Sequence, residues 1–355
     1  MNLYVHFPFC RSKCAYCALH SRADRPESER RAYVERIVHD LRNLFADKGD
    51  CAISTLYFGG GTPALCRLQP ILDLVHPRLE TPADAGRRCE FTVELNPLDA
   101  MPALLRQLIT GGVNRISMGV QSLDDEVLRA MGRPHDAAQA KTAWRMIREA
   151  GFLNAGIDLI CGWPGERGRG AISDAWRRTL DSAVELAPDH CSVYTLILEP
   201  DTRLARDVER GVVQLPSDET ALAELAEAEI ALAAAGLERY EISSFAKPGM
   251  ECRHNLATWR GEDYIGIGEG ACSREGGAVS RVIFRLRLLK EGLNPAQAAA
   301  DFPELAPRVG EWRETLDRFV GEGLLTAHPA EQSTPTYRLT PRGAEVCDSI
   351  LSELV

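Results

Sequence analysis

The amino-acid sequence predicts an α/β protein whose main part is a partial barrel of six strand–helix units, a partial (β/α)6 barrel. Strand-like and helix-like segments alternate over residues 1–245, a pattern typical of a parallel sheet with crossover helices. The pattern changes to a glycine-rich C-terminal extension over residues 246–300. The remaining residues, 301–355, have the order helix, short β pair, helix, which predicts a small winged-helix-like domain.

The barrel strands are predicted from short runs of largely apolar residues. The first run leads directly into a cysteine-rich loop, and the second ends at three consecutive glycines. In parallel α/β architectures the carboxyl ends of the strands carry the active site, so these two loops are expected there. The predicted strands cover residues 3–6, 53–58, 90–95, 115–120, 152–160 and 191–196, and the predicted helices cover 27–45, 101–110, 136–149, 171–186 and 221–235.

The last fifty residues predict a helix over 310–322, a turn at Gly323, a β pair over 324–327 and 336–339, and a helix over 342–354. Most winged-helix units bind DNA, but this one lacks an obvious basic recognition helix. We therefore interpret it as a packing or lid domain.

Composition narrows the class of protein. The chain has 355 residues, 45% of them hydrophobic and 26% charged, which are ordinary values for a globular protein. A net charge of −10 disfavours non-specific nucleic-acid binding, which depends on neutralising phosphates. No signal peptide and no apolar run of about 18 residues is visible, which argues against a membrane span. Together with eleven scattered cysteines, these features predict a reducing cytoplasm.

The most informative motif is the run FPFCRSKCAYC over residues 7–17, which holds Cys10, Cys14 and Cys17. Full protein ligation of a four-iron cluster takes four thiolates, so three would leave one iron with an open coordination position. An open position on a metal indicates chemistry. Two alternatives stay open at this point: a zinc site with His20 as the fourth ligand, and a disulfide with a spare thiol.

Two further features lie at predicted strand ends. The triple glycine at 59–61 lets the backbone approach a ligand closely, although a tight turn explains it equally well. Single polar residues at strand ends are usually loop residues or helix caps. As a set, however, they offer carboxylates for amines or hydroxyls and a guanidinium for a carboxylate, as a zwitterionic amino acid carrying a ribose would require. The set consists of Glu94, Gln121, Arg133 and Asp158.

A second polar cluster, CRHN over residues 252–255, is followed by Trp259. A lone histidine near a tryptophan is usually a packed, hydrogen-bonded residue. Histidine and cysteine are also axial ligands of haem iron, so Cys252, His254 and Cys272 are candidates for that role.

The cysteine spacing, with the aromatic Tyr16 before the last cysteine, resembles that of the radical S-adenosylmethionine (SAM) superfamily. This resemblance implies a [4Fe–4S] cluster whose open iron binds the amine and carboxylate of SAM, and reductive cleavage of SAM to a 5′-deoxyadenosyl radical. Further motifs are similar to the oxygen-independent coproporphyrinogen III oxidase branch over nearly the whole chain. They are YVHFPFC at 4–10, GGGTP at 59–63, ELNP at 94–97 and SMGVQS at 117–122.

The resemblance implies roles for particular residues. Cys10, Cys14 and Cys17 would hold the cluster. Tyr4, Gly60 and Glu94 would contact the SAM that ligates it. The positions that match a second SAM site in the oxidase are Tyr16, Gly61, Thr62, Gln121, Arg133 and Asp158.

Within that branch the chain looks like a haem-chaperone subgroup. The oxidases carry an extra cysteine where this chain has Leu19, and His254 would be the haem-associated residue. Two positions depart from the subgroup: Cys272 replaces an expected histidine, and Thr258 replaces an expected aromatic residue. The motifs shared with the subgroup are YEIS at 240–243, CRHN at 252–255, DYIGIG at 263–268 and RLTPRG at 338–343.

The resemblance therefore implies a protein of haem trafficking or porphyrin metabolism that binds a [4Fe–4S] cluster, SAM and haem or another tetrapyrrole. Expected partners are haem-acceptor proteins and an electron donor such as flavodoxin or ferredoxin. The alternatives are a radical SAM methyltransferase using two SAM molecules and a coproporphyrinogen III dehydrogenase-like enzyme. No catalytic residue is assigned.

Overall fold

The structure is a computed structural model that describes residues 1–81, 86, 88–165, 172–274, 277–329 and 334–355. The chain divides into two compact units. The first comprises Met1–Glu238, Phe245–Met250 and Ile265–Ser273, and the second comprises Arg239–Ser244, Glu251–Tyr264 and Arg274–Val355. The three-part division at residues 245 and 300 stays a prediction.

The strands confirm the predicted α/β class. Most of them lie in the first unit, and the boundaries between the two units fall within three short strands, β9 to β11. The strands are β1 (Asn2–Phe7), β2 (Phe9–Cys10), β3 (Arg22–Ala23), β4 (Thr55–Gly60), β5 (Glu90–Leu95), β6 (Arg115–Gln121), β7 (Asn154–Cys161), β8 (His190–Thr195), β9 (Glu238–Arg239), β10 (Ser244–Ala246), β11 (Tyr264–Ile267), β12 (Leu325–His328) and β13 (Thr336–Leu339).

Six strands of the nine-stranded sheet are parallel and follow chain order. In the described part of the chain β1, β4, β5, β6, β7 and β8 pair successively, each parallel to the next. All six carboxyl ends therefore meet at one edge. The β6–β7 register shifts between Gly119 and Gln121, so β6 bends at that edge.

The α-helices connect these strands or form the second unit. Those of the first unit are α1 (Glu27–Lys48), α2 (Gln69–Val75), α3 (Pro102–Thr110), α4 (Asp125–Met131), α5 (Ala137–Glu149), α6 (Asp174–Glu185), α7 (Arg203–Glu209) and α8 (Asp218–Ala234). Those of the second unit are α9 (Arg253–Trp259), α10 (Ala278–Ile283), α11 (Pro295–Asp301), α12 (Val309–Gly321), α13 (Pro341–Glu345) and α14 (Cys347–Ser352).

Local sequence explains where several helices begin. Asp136 and Gln139 form a capping box at the start of α5, each side chain accepting the other residue's backbone N–H. The hydroxyls of Ser173 and Ser217 accept N–H groups at the starts of α6 and α8. Such caps satisfy amides that have no partner within the helix, and each contributes about 1 kcal/mol.

The core of the first unit lies along the sheet. Leu3, Val5 and Phe7 of β1 alternate along the strand and are completely buried. The tilted rings of Phe7 and Phe58 pack with centroids 5.3 Å apart, and Phe58 packs edge-on against Phe91 at 4.8 Å. Burial of each such side chain contributes about 1.5–3 kcal/mol, which fixes the strands that carry the polar loops.

The second unit has its own core, centred on the fully buried Trp312 of α12. The indole Nε1 of Trp312 donates to the Leu354 carbonyl over 2.9 Å. Strands β12 and β13 pair antiparallel, with Leu325 opposite Leu339. This is the predicted order of helix and β pair.

Besides shifts of up to three residues at other element ends, two sequence predictions need correction. The predicted strand at 53–58 lies two residues later, at Thr55–Gly60, and Ile53 forms an isolated bridge with Leu79. The single helix predicted over 342–354 is wrong, because α13 and α14 are separate helices that break at Val346, where φ is −117°. Gly343 of α13 packs so closely against the Leu324 carbonyl that a Cβ at this position would overlap it.

None of the helices in the described ranges is both long and apolar enough to cross a membrane.

Candidate cofactor site

The cysteine loop joins β2 to β3 and carries three half-buried free thiols, Cys10, Cys14 and Cys17. Its backbone turns back where the Cys17 N–H donates to the Cys14 carbonyl over 3.3 Å. Lys13 closes the loop, donating from Nζ to the Leu19 carbonyl over 2.6 Å and to the Ser21 hydroxyl over 2.9 Å.

The loop is held from three sides. The Ala15 N–H donates to the Met131 carbonyl over 2.8 Å, and the Ala15 carbonyl accepts from the Leu204 N–H over 2.9 Å. On the third side the Arg11 guanidinium pairs with the buried carboxylate of Asp99, just beyond the end of β5. These contacts fix the loop beside the strand ends before any cofactor binds.

Two cations, Lys13 and Arg133, lie near the thiols of this loop. Burial raises the pKa of the Cys10 and Cys17 thiols, while the Lys13 ammonium opposes that rise at both. Arg133 lies on the other side, with Nη1 3.5 Å from the Cys14 sulfur. An iron–sulfur cluster held by thiolates carries net negative charge, so these two cations suit it.

The donor set fits a [4Fe–4S] cluster, because three soft thiolates come from one loop and would leave one iron free for another ligand. In the described part of the chain no three His, Cys, Asp or Glu side chains are grouped closely enough for a single metal ion. The Nε2 atom of His20, the fourth ligand of the zinc alternative, instead lies 3.0 Å from the Glu269 carboxylate.

Glu94, at the carboxyl end of β5, is bound by two donors. The Tyr57 hydroxyl donates to Oε1 over 2.8 Å, and the Gly60 N–H donates to Oε2 over 3.1 Å. Burial, with a further contribution from the negative Asp158, raises the pKa of Glu94 to about 7. The carboxylate gains stability from any cationic or hydrogen-donating ligand that approaches it.

Tyr4 lies beside Tyr57, the residue that donates to Glu94, with the two ring centroids 6.0 Å apart. The Tyr4 hydroxyl is 3.0 Å from Nδ1 of His6, and Nε2 of His6 is 2.8 Å from the His20 carbonyl. Because a carbonyl only accepts, Nε2 carries the proton and Nδ1 accepts from Tyr4. Burial lowers the pKa of His6, which keeps its imidazole neutral.

The triple glycine is required by close packing. Gly60 has a φ of +101°, and a Cβ there would overlap the His6 ring. A Cβ on Gly61 would overlap the Phe9 carbonyl, immediately before Cys10. The Gly61 and Thr62 N–H groups donate to the Phe7 and Phe9 carbonyls, each over 2.7 Å. The glycine loop therefore lies directly against the strand that delivers the first cysteine.

Gln121, Arg133 and Asp158 lie on or after β6 and β7. Gln121 adopts a φ of +69°, an uncommon conformation for a non-glycine residue that is often found at functional sites. Arg133 donates to the Gly119 carbonyl, and a Cβ placed on Gly119 would lie 3.0 Å from the Gln121 amide nitrogen. The structure thus brings Gln121 and Arg133 together at the bend of β6.

Asp158 lies on β7, opposite β6 in the sheet register. Its carboxylate accepts from the Ser117 hydroxyl, which is 3.2 Å from both oxygens, and burial raises its pKa. Tyr16 packs edge-on against Trp163, with centroids 5.9 Å apart, and burial raises its pKa while the nearby Arg133 guanidinium opposes that rise.

His254 belongs to the second unit and lies in the first turn of α9. It is buried, 6% exposed, and its ring packs edge-on against Tyr264 at 6.0 Å. Cys252, at the start of the same helix, is also buried, whereas Cys272 is exposed.

Sequence reasoning missed several contributors to the site. Tyr57 lies on β4, and its hydrogen bond to Glu94 depends on the register of β4 against β5, which the sequence alone does not reveal. Arg11 and Asp99 are 88 residues apart, and Lys13 binds only backbone and a serine. No local pattern reveals those two interactions.

A model of the radical SAM superfamily matches residues 4–200, which include the cysteine loop, the glycine loop and Glu94. The chain therefore belongs to the radical SAM superfamily, whose cofactors are a [4Fe–4S] cluster and SAM. When bound, the cluster supplies the electron for reductive cleavage of SAM.

Two relatives refine the family. The haem chaperone HemW of Escherichia coli is 39% identical over 274 residues, which cover 76% of this chain and 69% of the relative. The haem chaperone HemW of Bacillus subtilis is 35% identical over 282 residues, covering 78% of this chain and 71% of the relative. Within the superfamily the chain is HemW-like.

The fold agrees with this family. The structure of coproporphyrinogen III oxidase (HemN) from Escherichia coli superposes with a TM-score of 0.79. The superposition covers 99% of this chain and 89% of the oxidase at 22% sequence identity. This likeness confirms the radical SAM fold predicted from the sequence.

Proposed function

We propose that this protein binds a [4Fe–4S] cluster on Cys10, Cys14 and Cys17, binds SAM beside it, and carries haem to acceptor proteins in the cytoplasm. An electron donor such as flavodoxin or ferredoxin would reduce the cluster. The observation that carries the proposal is the similarity to two HemW haem chaperones over three quarters of the chain. The arrangement of the first unit supports the cofactor part.

The proposed SAM contacts follow from the donors and acceptors on the strand ends. Glu94 provides a carboxylate that accepts from amine or hydroxyl groups, and Tyr57 orients it. Gly60 and Gly61 let the glycine loop pack directly against His6 and the Phe9 carbonyl, so the Gly60 backbone lies beside both Glu94 and the strand that carries Cys10. Tyr4 presents a hydroxyl whose orientation His6 fixes.

SAM affinity is expected to depend on the ionisation of Glu94. The pKa of Glu94 is about 7, so its carboxylate loses its charge as pH falls below that value. Binding that requires the ionised form then weakens in proportion to the ionised fraction. We expect SAM to bind about five- to tenfold more weakly at about pH 6 than at about pH 8.

The measurement is a SAM titration of the anaerobically reconstituted protein across this pH range. The Glu94→Gln variant has no group that titrates at this position, so its weaker affinity should change less with pH than that of the wild type. A wild-type affinity that rises as pH falls would contradict this role of Glu94.

The haem part of the proposal depends on His254, with Cys272 as the other candidate ligand. Because His254 is 6% exposed, ligation of iron requires its ring to turn outward from the interior of the second unit. Cys272 is exposed and meets no such barrier. Haem whose iron is bound by a cysteine thiolate has a different absorption spectrum from haem whose iron is bound by histidine.

We expect haem added to the anaerobically purified protein to shift its Soret band, and His254→Ala to remove most of that shift. His39→Ala, which alters an exposed histidine of α1, is the matched control and should behave as wild type. If Cys272→Ser removes the shift and His254→Ala does not, the axial ligand is the thiolate. Absence of any shift in the wild type would exclude haem binding.

A second candidate function is a radical SAM enzyme that uses two SAM molecules. It is favoured by the strained φ of Gln121 beside Arg133, the positions that resemble a second SAM site. Turnover of SAM to 5′-deoxyadenosine and S-adenosylhomocysteine in the presence of an acceptor substrate would support it.

A further inference from the structure

A cavity of about 580 Å3 in the first unit runs along helix α1 and faces residues 65–70. Pockets for small organic molecules usually measure roughly 300–1,000 Å3. None of the lining residues is among the candidate cofactor residues, so this cavity, the α1 groove, is a separate feature.

The α1 groove has an apolar centre with a cation at each end. Arg30, Val34, Val38 and Arg42 follow one another at intervals of four residues and therefore share one face of the helix. The two valines are buried, and Leu65 supplies apolar surface from the opposite wall. This stripe suits a ligand with an apolar body and acidic groups.

Most guanidinium groups of the groove form no ion pair with the residues that the structure describes. Arg30 has a buried Nε atom without a hydrogen-bond partner among the described residues. Arg31 pairs with Glu35, whereas Arg42 and Arg67 form no ion pair with the residues that the structure describes. Guanidinium groups that no carboxylate neutralises remain available to acidic groups of a ligand.

The charge of the groove is opposite to that of the chain. Four arginines and two glutamates line it, and one of the glutamates is neutralised by Arg31, whereas the whole chain has a net charge of −10. A local excess of arginine in an acidic protein attracts anions, and guanidinium forks match phosphate and carboxylate geometry.

We infer that the α1 groove binds an organic anion that has an apolar body and at least two phosphate or carboxylate groups. The apolar body lies on Val34 and Val38, and the acidic groups pair with Arg30, Arg42 and Arg67. Nucleoside triphosphates and porphyrin dicarboxylates both have this chemistry. The inference does not depend on the haem-carrier function proposed above.

The test is isothermal titration calorimetry of the reconstituted holoprotein, saturated with SAM so that the SAM site is filled. ATP is one probe. The other is protoporphyrin IX, which contains no iron for His254 or Cys272 to ligate. At least one probe should bind with 1:1 stoichiometry, and its affinity should fall as KCl is raised, as charge pairing requires.

The double variant Arg30→Met/Arg67→Met should weaken that binding about tenfold or more. Arg42→Met changes an exposed side chain, cannot disturb the core, and should also weaken it. Arg145→Met on α5 removes an equally exposed arginine outside the groove and should have no effect. Binding of ATP alone assigns phosphate as the recognised group, and binding of the porphyrin alone assigns carboxylate.

Two results would overturn the inference. One is that neither probe binds at millimolar concentration. The other is that a probe binds Arg42→Met and the double variant as tightly as wild type, since the ligand would then lie outside the groove.

Discussion

Changing Cys10, Cys14 or Cys17 to serine is expected to abolish cluster assembly almost completely. All three thiols come from one loop, so each variant leaves only two protein ligands for a four-iron cluster. A hydroxyl cannot replace a soft thiolate at iron with comparable affinity. Iron and acid-labile sulfide should fall to near zero after anaerobic reconstitution, with loss of the visible absorption of the cluster.

Cys51→Ser provides the matched control, because Cys51 is an exposed free thiol outside the loop. Its iron and sulfide content should equal that of wild type. Circular dichroism of the loop variants should remain native, since none of the three thiols lies within the buried core. Full iron content in any one of the loop variants would show that the cluster has a different ligand set.

The second large effect is expected for Glu94→Gln, which should weaken SAM binding by about 10- to 100-fold. Glutamine keeps the size of the side chain but removes the charge, and hydrogen bonds to charged groups contribute about 1.5–3 kcal/mol. The Gly60 N–H and Tyr57 hydroxyl also lose an anionic acceptor, so the orientation of this side chain becomes less fixed. A SAM titration of the reconstituted variant measures the change.

Cluster content separates this effect from a general defect. Glu94→Gln should hold as much iron and sulfide as wild type, because Glu94 is not one of the proposed cluster ligands. Glu149→Gln, on the exposed end of α5, should bind SAM normally. If Glu94→Gln bound SAM with wild-type affinity, the proposed role of this carboxylate would be wrong.

Much of the first unit could be predicted from sequence because its strands are buried apolar runs. The strand predicted at 90–95 has the same bounds as β5. The strand predicted at 115–120 ends one residue before β6 does. Buried parallel strands have few polar positions, so the polar residues that do follow them are informative. That is why Glu94 could be placed at the site from sequence.

The site interactions that the sequence did not reveal join residues that are distant in the chain. Arg133 approaches the Cys14 sulfur across 119 residues, and Arg11 reaches Asp99 across 88. The role of Tyr57 depends on the register of β4 against β5, which brings Tyr57 opposite Thr92. Such pairings follow from the folded sheet, and single-sequence periodicity contains no information about them.

The C-terminal helix shows a different limit. Residues 342–354 have a continuous helical pattern, yet the chain breaks at Val346, three residues after Gly343 packs closely against the Leu324 carbonyl. Local propensity is a weak determinant of structure, and tertiary packing overrides it here.

Electron paramagnetic resonance tests most directly whether the three cysteines of the loop hold a cluster. It also tests whether SAM approaches that cluster beside Glu94. The anaerobically reconstituted protein would be reduced with dithionite and measured with and without SAM. We expect the signal of a reduced four-iron cluster that changes on addition of SAM, and a smaller change in Glu94→Gln at the same SAM concentration. A protein that contains zinc and gives no such signal, or a cluster signal that SAM leaves unchanged, would contradict this expectation.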